Sequence, residues 1–461
     1  MNTTSKTRPG LRAGSGVHHA LERVRERAAR DRKVRFTALL HHVSLEQLEE
    51  AFFALRKKAA PGIDGVTWEQ YGESLSENLR DLHGRVHRGT YRAKPARRAY
   101  IPKTDGRQRP LGIAALEDKV VQRAVVEVMN RIYETEFLDF SHGFRPQRSA
   151  HDALDALAYG IRRCKVNWVL DADIRGFFES IDHGWLRQFL EHRIGDRRLL
   201  RLIQRWLDAG VIENGAWQET AGGTPQGATI SPLLANLYLH HVFDLWAQQW
   251  RRRHARGEIL LVRYADDFIV GFEKLRDAEQ FLAELRQRLR RFGLELHPEK
   301  TRLIEFGRFA AKRRQTLGLG RPETFHFLGF THICGESQAG GFVLVRHTQR
   351  DRMRDKLHTL QSEMQRRRNL PTAEQGEWLR SVLRGYNSYY GVPTNSRALQ
   401  SFRTQLTWLW FRSLRRRGQR RKINWKGFRQ LARRWLPTSR ILHPWPDERF
   451  AARASGRSPV R

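Results

Sequence analysis

The chain has 461 residues and a formal net charge of +35, from 84 Lys and Arg against 49 Asp and Glu. This length exceeds what one hydrophobic core supports and predicts three or four folding units, and the charge predicts a polyanionic partner. Two cysteines exclude a disulfide framework and a Cys-rich zinc module. No apolar run approaches the roughly 20 residues of a membrane span, so we expect no membrane partner and a location in the cytoplasm or nucleoid.

The N-terminal residues 1–43 form a basic extension. We expect residues 1–16 to be disordered and to act as an RNA-binding arm, an organellar presequence being the alternative. Residues 17–33 predict a charged helix with too little apolar surface to join a core. Order is expected to begin near Phe36.

Residues 44–165 alternate helical patterns with segments punctuated by Gly and Pro, which predicts a mixed α/β unit with basic loops. Lys103 and Arg109 lie on either side of Asp105-Gly106, a dipeptide typical of a hairpin turn. Such a hairpin can direct both cations to one phosphate group.

Residues 166–345 read as a sheet backed by helices. In ILLVRYADDFIVGF two apolar strand-like runs flank Asp266 and Asp267, which predicts that both acids lie on a tight hairpin turn. Adjacent carboxylates repel each other and are most easily kept ionised by a bound cation. An Asp-Asp pair alone is more often a solvated turn, so a second acidic site is needed.

That second site is the strand VNWVLDADI, which ends in Asp171 and Asp173. An acid at the end of a neighbouring strand would face the hairpin acids, and three carboxylates can hold two Mg²⁺ ions about 4 Å apart. Ligands that are all oxygen favour Mg²⁺, with Mn²⁺ as a possible substitute. The sequence therefore predicts a two-metal site for in-line phosphoryl transfer.

After residue 345 helical patterns dominate, and residues 378–446 contain 16 Lys and Arg but no Asp or Glu. This stretch cannot neutralise its own charge, which predicts contacts with phosphates and stacking on bases. The predicted nucleic-acid-binding tail contains Arg415, Arg416, Arg417, Arg420, Arg421, Lys422 and Trp425. Further aromatic residues belong either to a core, the commoner case, or to a base-stacking surface: Tyr386, Tyr389, Tyr390, Trp408 and Trp410.

The turn Tyr264-Ala265-Asp266-Asp267 resembles the signature of reverse transcriptases, and the surrounding blocks resemble those of group II intron-encoded reverse transcriptase/maturases. The resemblance extends over roughly residues 50–445. It includes KKAAPGIDGVT (57–67), IPKTDGRQRPLGI (101–113), SHGFRPQRSAHDAL (141–154), DADIRGFFESIDH (171–183), GGTPQGATISPLLANLYL (222–239), GLELHPEKT (293–301) and FHFLGF (325–330).

This resemblance implies an α+β right-hand polymerase. Its fingers would occupy residues 44–165, its palm with the catalytic Asp triad 166–345, its helical thumb or maturase domain 346–415, and a basic DNA- or RNA-binding region 416–461. The implied activity is RNA-directed DNA synthesis from dNTPs on an RNA template with a DNA primer or target. The implied biology is the splicing of its own intron RNA and retrohoming of that intron.

The resemblance also implies roles for single residues. Asp173, Asp266 and Asp267 would be the catalytic metal ligands, assisted by the Ile174 carbonyl, while Asp171 would support the strand end. The implied dNTP-binding residues are Lys103, Arg109, Phe177, Phe178 and Gln226; of these, Phe178 would exclude a 2′-hydroxyl, and Phe177 is otherwise a core residue. The implied primer and template residues are Lys300, Leu328 and Gly329.

Departures from the family pattern are few. Ala114 and Ala115 stand where Pro-Thr is expected, and the absence of cysteine beyond Cys334 predicts a bacterial type without the Cys- and His-bearing HNH endonuclease domain. Two alternatives stay open, a domesticated reverse transcriptase in phage defence or CRISPR adaptation and an RNA-binding maturase without polymerase activity. RNA-templated RNA synthesis is disfavoured by the bulk of Phe178.

Overall fold

The computed structural model describes residues 15–102, 108–213, 216–218, 222–224, 227–417 and 423–453, which form an α+β structure. Its helices are α1 (Ser15–Arg30), α2 (Leu45–Ala54), α3 (Trp68–Glu73), α4 (Leu75–Arg88), α5 (Leu116–Tyr133), α6 (Ala150–Arg163), α7 (His183–Arg193), α8 (Arg197–Leu207), α9 (Ser231–Leu239), α10 (Leu245–Arg253), α11 (Leu275–Arg291), α12 (Ala310–Thr316), α13 (Arg350–Arg366), α14 (Thr372–Tyr390), α15 (Ser396–Arg415), α16 (Trp425–Trp435) and α17 (Pro446–Arg453). Its strands are β1 (Ala96–Pro102), β2 (Gln108–Ile113), β3 (Trp168–Ala172), β4 (Val211–Glu213), β5 (Ala216–Gln218), β6 (Ile259–Tyr264), β7 (Asp267–Phe272), β8 (Arg302–Glu305), β9 (Phe325–Phe327), β10 (Phe330–Glu336) and β11 (Phe342–Thr348).

The central sheet has the strand order β6-β7-β3-β8, and all neighbouring strands are antiparallel. Successive side chains of a strand point to opposite faces. On β6, Leu261 joins one hydrophobic cluster while Leu260 and Val262 join another. Both faces of the sheet are therefore covered, which explains why β6 and β7 read as continuous apolar runs.

A second sheet, β2-β1-β4-β5, carries the basic hairpin. β1 and β2 pair antiparallel from Arg97↔Ile113 to Pro102↔Gln108, which confirms the predicted hairpin. The turn of this hairpin, including Lys103, lies outside the described residues. β1 also pairs parallel with β4, where Ala96 faces Val211.

The third sheet, β11-β10-β9, ends the strand-rich part of the chain. Phe327 pairs with Phe330, so Leu328 and Gly329 are the two residues of a tight turn. Both have positive φ, 48° and 80°, which is the pattern of a type I′ turn. The Tyr389 hydroxyl donates to the Leu328 carbonyl (2.9 Å), which ties this turn to α14.

Helix α1 packs against α5, and this corrects the expectation that the N-terminal helix lacks a core-forming face. Leu21, Val24 and Ala28 are buried in the largest hydrophobic cluster. Their spacing of three and four residues places them on one side of the helix. These three residues supply the buried face of α1, and most of its other described side chains are exposed.

Helices α13–α16, here called the C-terminal helical unit, share one hydrophobic cluster. α16 contributes Phe428, Ala432 and Trp435 to it, so the described part of the predicted tail from residue 423 to 436 is packed against α14 and α15. The boundary expected at residue 416 stays a prediction. Helix α17 packs instead on α6. Within the described ranges, no helix is both long and apolar enough to cross a bilayer.

Candidate active site

The acidic turn joins β6 to β7 as predicted. Tyr264 pairs with Asp267, which leaves Ala265 and Asp266 as the two loop residues. Ala265 has a φ of +56°, a value that glycine adopts readily and other residues rarely. Asp266 is half-buried, and Asp267 is exposed.

Asp173 lies beside this turn because β3 is the direct neighbour of β7. β3 ends at Ala172, which pairs with Phe268, so Asp173 emerges next to Asp267. The backbone of Asp173 is fixed by the amide of His297, which donates to its carbonyl (2.8 Å). The sheet thus brings together the acids at the ends of two neighbouring strands, as the sequence predicts.

These acids interact electrostatically. Burial, together with the negative charges of Asp266 and Asp173, raises the pKa of Asp267 to about 7. Since the Asp267 side chain still reaches solvent, we attribute much of this rise to its neighbouring carboxylates. Burial, and then the charge of Asp173, also raise the pKa of Asp266.

Basic groups surround the acids. The Lys300 ammonium lies 2.7 Å from the Asp173 carboxylate. Arg109 opposes the rise in the pKa of Asp266, and Arg352 opposes that of Asp267, which places a positive charge near each. This site can therefore hold cations on its carboxylates and anions on its rim.

Asp171 forms an ion pair apart from the three acids of the site. Its carboxylate lies 3.5 Å from the Arg302 guanidinium, across the β3–β8 pairing. Burial raises the pKa of Asp171 to about 6, an effect that Arg302 opposes. The contact fits the expectation that Asp171 supports the strand end.

The two phenylalanines after Asp173 differ. Phe177 is 2% exposed and packs in the main core, which favours the alternative expectation that it is a core residue. Phe178 is half-buried, and its carbonyl accepts from the Thr224 amide (2.7 Å). Phe178 thus adjoins the loop that contains Gln226, which itself lies outside the described residues.

Glycines bring this loop close to both sides of the site. A Cβ on Gly223 would come within 2.6 Å of the Phe178 carbonyl, and one on Gly227 within 2.9 Å of the Gly112 carbonyl on β2. Only glycine permits these approaches. The strand of Arg109 and the segment of Phe178 therefore meet at this loop.

Other predicted residues are more dispersed. The Ile174 side chain is buried, and Ile174 forms an isolated bridge with Leu296.

In the predicted tail, Arg415 and Arg416 are exposed. Arg417 donates to the Thr372 hydroxyl, and Trp425 stacks on Trp408. The tail residues Arg420, Arg421 and Lys422 lie outside the described residues.

Of the aromatic residues expected either in a core or on a base-stacking surface, some are buried and others are exposed. Tyr386 and Trp410 are buried in the C-terminal helical unit. Trp408 is 45% exposed. Tyr389 and Tyr390 are partly buried, and they contact the turn of Leu328 and Gly329.

The donor set fits Mg²⁺ in kind, because Asp173, Asp266 and Asp267 offer only oxygen. Among the described residues, no three His, Cys, Asp or Glu side chains already enclose a metal position. The Lys300 ammonium on Asp173 supplies one positive charge where the acids repel each other. Binding a metal at these acids would therefore require their side chains to converge.

Sequence reasoning missed two arginines here. Arg263 is fully buried inside the strand that leads to the acidic turn, and Arg352 on α13 lies near Asp267. A charged residue within the apolar run ILLVRY was a signal for Arg263, since a buried charge needs a partner. Arg352 had no comparable signal among so many surface arginines.

Comparisons with known proteins agree with this geometry. Residues 101–332 match the family model described as reverse transcriptase (RNA-dependent DNA polymerase). The chain is 35% identical to protein YkfC of Escherichia coli over 277 residues, which are 53% of this chain and 72% of YkfC. It is 41% identical to the group II intron-encoded protein LtrA of Lactococcus lactis over 180 residues, 39% of this chain but only 28% of LtrA.

A more distant relative is the uncharacterized 91 kDa protein in the cob intron of Schizosaccharomyces pombe, which is 28% identical over 367 residues, 65% of this chain and 44% of that protein. The family match includes the acidic turn, the strand of Asp173 and β2 with Arg109. The chain belongs to the reverse transcriptases, the family of RNA-dependent DNA polymerases.

Proposed function

We propose that this chain copies an RNA template into cDNA at a site formed by Asp173, Asp266 and Asp267, with two Mg²⁺ ions or, as a substitute, Mn²⁺. The observation that carries this proposal is the emergence of these three carboxylates from neighbouring strands of one sheet. Their mutual repulsion, which raises the pKa of Asp267, favours a site that binds cations.

Bound Mg²⁺ would lower the pKa of the primer 3′-hydroxyl and neutralise charge on the triphosphate. The protein's own residues position the reactants. Arg109, on the exposed end of β2, is suited to hold the triphosphate, and we assign the same role to Lys103. Phe178 would pack under the sugar and exclude a 2′-hydroxyl, and Gln226 would contact the nucleotide.

The primer end would lie at the turn of Leu328 and Gly329. The Tyr389 hydroxyl and the amide of Gln349 hold the carbonyls of this turn, at 2.9 and 3.0 Å. A groove of about 910 Å³ runs along this side of α13 and α14 and includes Arg352. This arrangement supports a path for the primer–template duplex that leads to the acids.

Primer extension tests the polymerase proposal. The purified protein is incubated with Mg²⁺, dNTPs and a DNA primer on an RNA template, beside the variant Asp266→Asn/Asp267→Asn. The control is Asp208→Asn, an exposed carboxylate at the end of α8. Extension by the parent and the control but not by the double variant is expected. Extension by the double variant would refute the assigned site.

We also propose that the chain binds group II intron RNA and assists its splicing and retrohoming. The specific observation is a second groove, of about 840 Å³, on the other side of α13. Arg350, Arg354 and Arg412 line it together with the exposed Trp408. Positive charge beside an exposed aromatic ring suits an RNA backbone with unstacked bases.

The two grooves use opposite faces of one helix. Residues 351, 352, 355, 356 and 359 of α13 line the first groove, and residues 350, 353, 354, 357, 358 and 361 line the second. A chain with both grooves could hold a primer–template duplex and a structured RNA at once. The similarity of 180 residues to LtrA, a group II intron-encoded protein, supports this assignment.

Binding of a group II intron RNA tests the second proposal. We expect Arg350→Gln/Arg412→Gln and Trp408→Ala each to weaken this binding and the stimulation of splicing at least fivefold, with primer extension on a short template retained. The charge-matched control for the double variant replaces Arg286 and Arg290, both exposed on α11, by Gln. Equal loss in the control would mean that only net charge matters, and unchanged binding in the groove variants would refute this site.

A further inference from the structure

We propose that Arg263 is a positioning residue that fixes the acidic turn in the geometry needed for metal binding. This proposal rests on the assigned role of Asp266 and Asp267 as metal ligands. Arg263 is the fifth residue of β6, two residues before Ala265 of the acidic turn, and is fully buried. Its side chain therefore acts from within the protein rather than on a substrate.

All five N–H donors of the Arg263 guanidinium have an acceptor. Nε and Nη2 donate to the two carboxylate oxygens of Asp244 (2.7 and 2.6 Å). Nη2 also donates to the Ser141 hydroxyl (2.7 Å), and Nη1 donates to the Asn236 side-chain oxygen (3.1 Å) and the Ala265 carbonyl (3.0 Å). Only the planar fork of arginine has donors for all five bonds.

The acceptors come from separate parts of the chain. Asp244 ends a π-helical turn (His240–Asp244) between α9 and α10, Asn236 lies on α9, and Ser141 lies on the loop before α6. Asp244, Asn236 and Ser141 are each no more than 2% exposed. Arg263 thus joins three elements to the strand that carries the acids.

The loop at Ser141 also presses directly on the acidic turn. The Arg263 amide donates to the Phe140 carbonyl, and the His142 amide donates to the Arg263 carbonyl, both at 2.8 Å. A Cβ on Gly143 would come within 2.3 Å of the Ala265 nitrogen, so glycine is required for this packing. The loop and the side chain of Arg263 therefore hold Ala265 from two directions.

This restraint has a reason in the backbone. Ala265 is the first residue of the two-residue loop and has positive φ, where a type II′ turn ordinarily has glycine. A non-glycine residue stays in this region only when its surroundings enforce it. The bond from Arg263 to the Ala265 carbonyl is one such constraint, and Asp266 and Asp267 follow directly. Mg²⁺ demands near-ideal octahedral geometry, so a shift of the turn should weaken its binding.

The test compares Arg263→Lys with Arg346→Lys. Arg346 is equally buried in an ion pair, with Asp155, on a strand that does not carry the acids. Three quantities are measured for each variant: thermal unfolding, the dissociation constant of a primer–template duplex, and the Mg²⁺ concentration that gives half-maximal extension. Both variants should lose thermal stability and keep duplex binding within about twofold.

We expect only Arg263→Lys to raise the half-saturating Mg²⁺ concentration, by at least tenfold, and Ser141→Ala, which removes one bond, to raise it two- to threefold. An unchanged Mg²⁺ requirement in Arg263→Lys, or an equal rise in Arg346→Lys, would overturn the proposal. If Arg263→Lys does not fold, Asp244→Asn is judged by the same criterion. Failure of the underlying metal-ligand assignment is recognised separately, by extension in the Asp266→Asn/Asp267→Asn variant.

Discussion

The ammonium group of Lys300 donates to the Asp173 carboxylate across 2.7 Å. Asp173 is one of the three acids that we assign as metal ligands, so an ammonium in this position would compete with a metal for the same oxygen. The Lys300 side chain is more than half exposed, which leaves it free to swing away when a metal or a nucleotide arrives. Lys300 would thus neutralise Asp173 in the absence of a metal and contact the primer once the metal is bound.

Lys300→Gln tests this competition. We expect Mg²⁺ to bind the protein without nucleic acid about fivefold more tightly, because no ammonium has to be displaced, while primer extension slows about tenfold. Isothermal titration with Mg²⁺ and single-turnover extension measure the two effects. Lys274→Gln, at an exposed lysine before α11, is the control and should change neither. Weaker Mg²⁺ binding in Lys300→Gln would contradict the competition.

Asp267→Asn should make metal-free stability less dependent on pH. Because the folded pKa of about 7 lies above the ordinary 3.8, the folded chain binds more protons than the unfolded chain between these values. Parent stability therefore falls as the pH rises from about 4 to 7. The Asn variant has no charge to bury and keeps this stability. Its free energy of unfolding above pH 7 should exceed that of the parent by about 1 kcal/mol, after allowance for solvent screening.

Denaturant unfolding at several pH values measures this difference. The two proteins should be equally stable near pH 4, and the variant should be more stable above pH 7. Saturating Mg²⁺ should reverse the order at pH 8, because it stabilises only a protein with its ligands intact. If the free energies of unfolding of the two proteins differed by the same amount at every pH, the charge of the Asp267 carboxylate would not be the cause of the difference.

Phe178→Ala should admit ribonucleotides. Removing the half-buried ring would leave room for a 2′-hydroxyl, and we expect discrimination between dNTP and NTP to fall about tenfold or more. Competition between the two nucleotides in single-nucleotide extension measures this ratio. Phe177→Ala is the matched control, because Phe177 is buried; it should lose about 3 to 5 kcal/mol of stability without a gain of ribonucleotide incorporation.

Two glycines of α14 give a paired prediction for the C-terminal helical unit. A Cβ on Gly376 would lie 2.4 Å from the Trp435 ring of α16, whereas a Cβ on Gly385 would meet nothing within 4 Å. Gly376→Ala should therefore lower the free energy of unfolding by about 1 to 3 kcal/mol through overpacking. Gly385→Ala should raise it by up to about 1 kcal/mol through helix propensity. Equal effects would mean that α16 is not docked on α14.

The sequence predicts the acidic site well because the information is local. Apolar runs of strand length bracket Asp266 and Asp267, and another ends just before Asp173, so the placement of the acids follows from strand periodicity alone. To bring the three acids together, the fold needed only to place β3 beside β7. The roles assigned from family resemblance, such as those of Lys103 and Gln226, stay predictions.

Features that depend on distant partners could not be read in this way. The network of Arg263 joins residues as far apart as 122 positions, and nothing local to Asp244 or Ser141 indicates it. Helix α1 was misjudged because its apolar face consists of only a few residues. The packing of Phe428, Ala432 and Trp435 on α14 and α15 is not evident from the sequence, because Arg and Lys dominate this stretch.

The contact between α17 and α6 has a consequence for biosynthesis. The buried Asp155 carboxylate accepts hydrogen bonds from Arg346 and from Arg449, which lies 294 residues later in the chain. At a translation rate of 5 to 20 residues per second, about 15 to 60 s separate the synthesis of Asp155 from that of Arg449. Until Arg449 is synthesised, Arg346 is the one of these two partners that Asp155 can have, so the packing of α17 on α6 is completed after the pairing of Asp155 with Arg346 becomes possible.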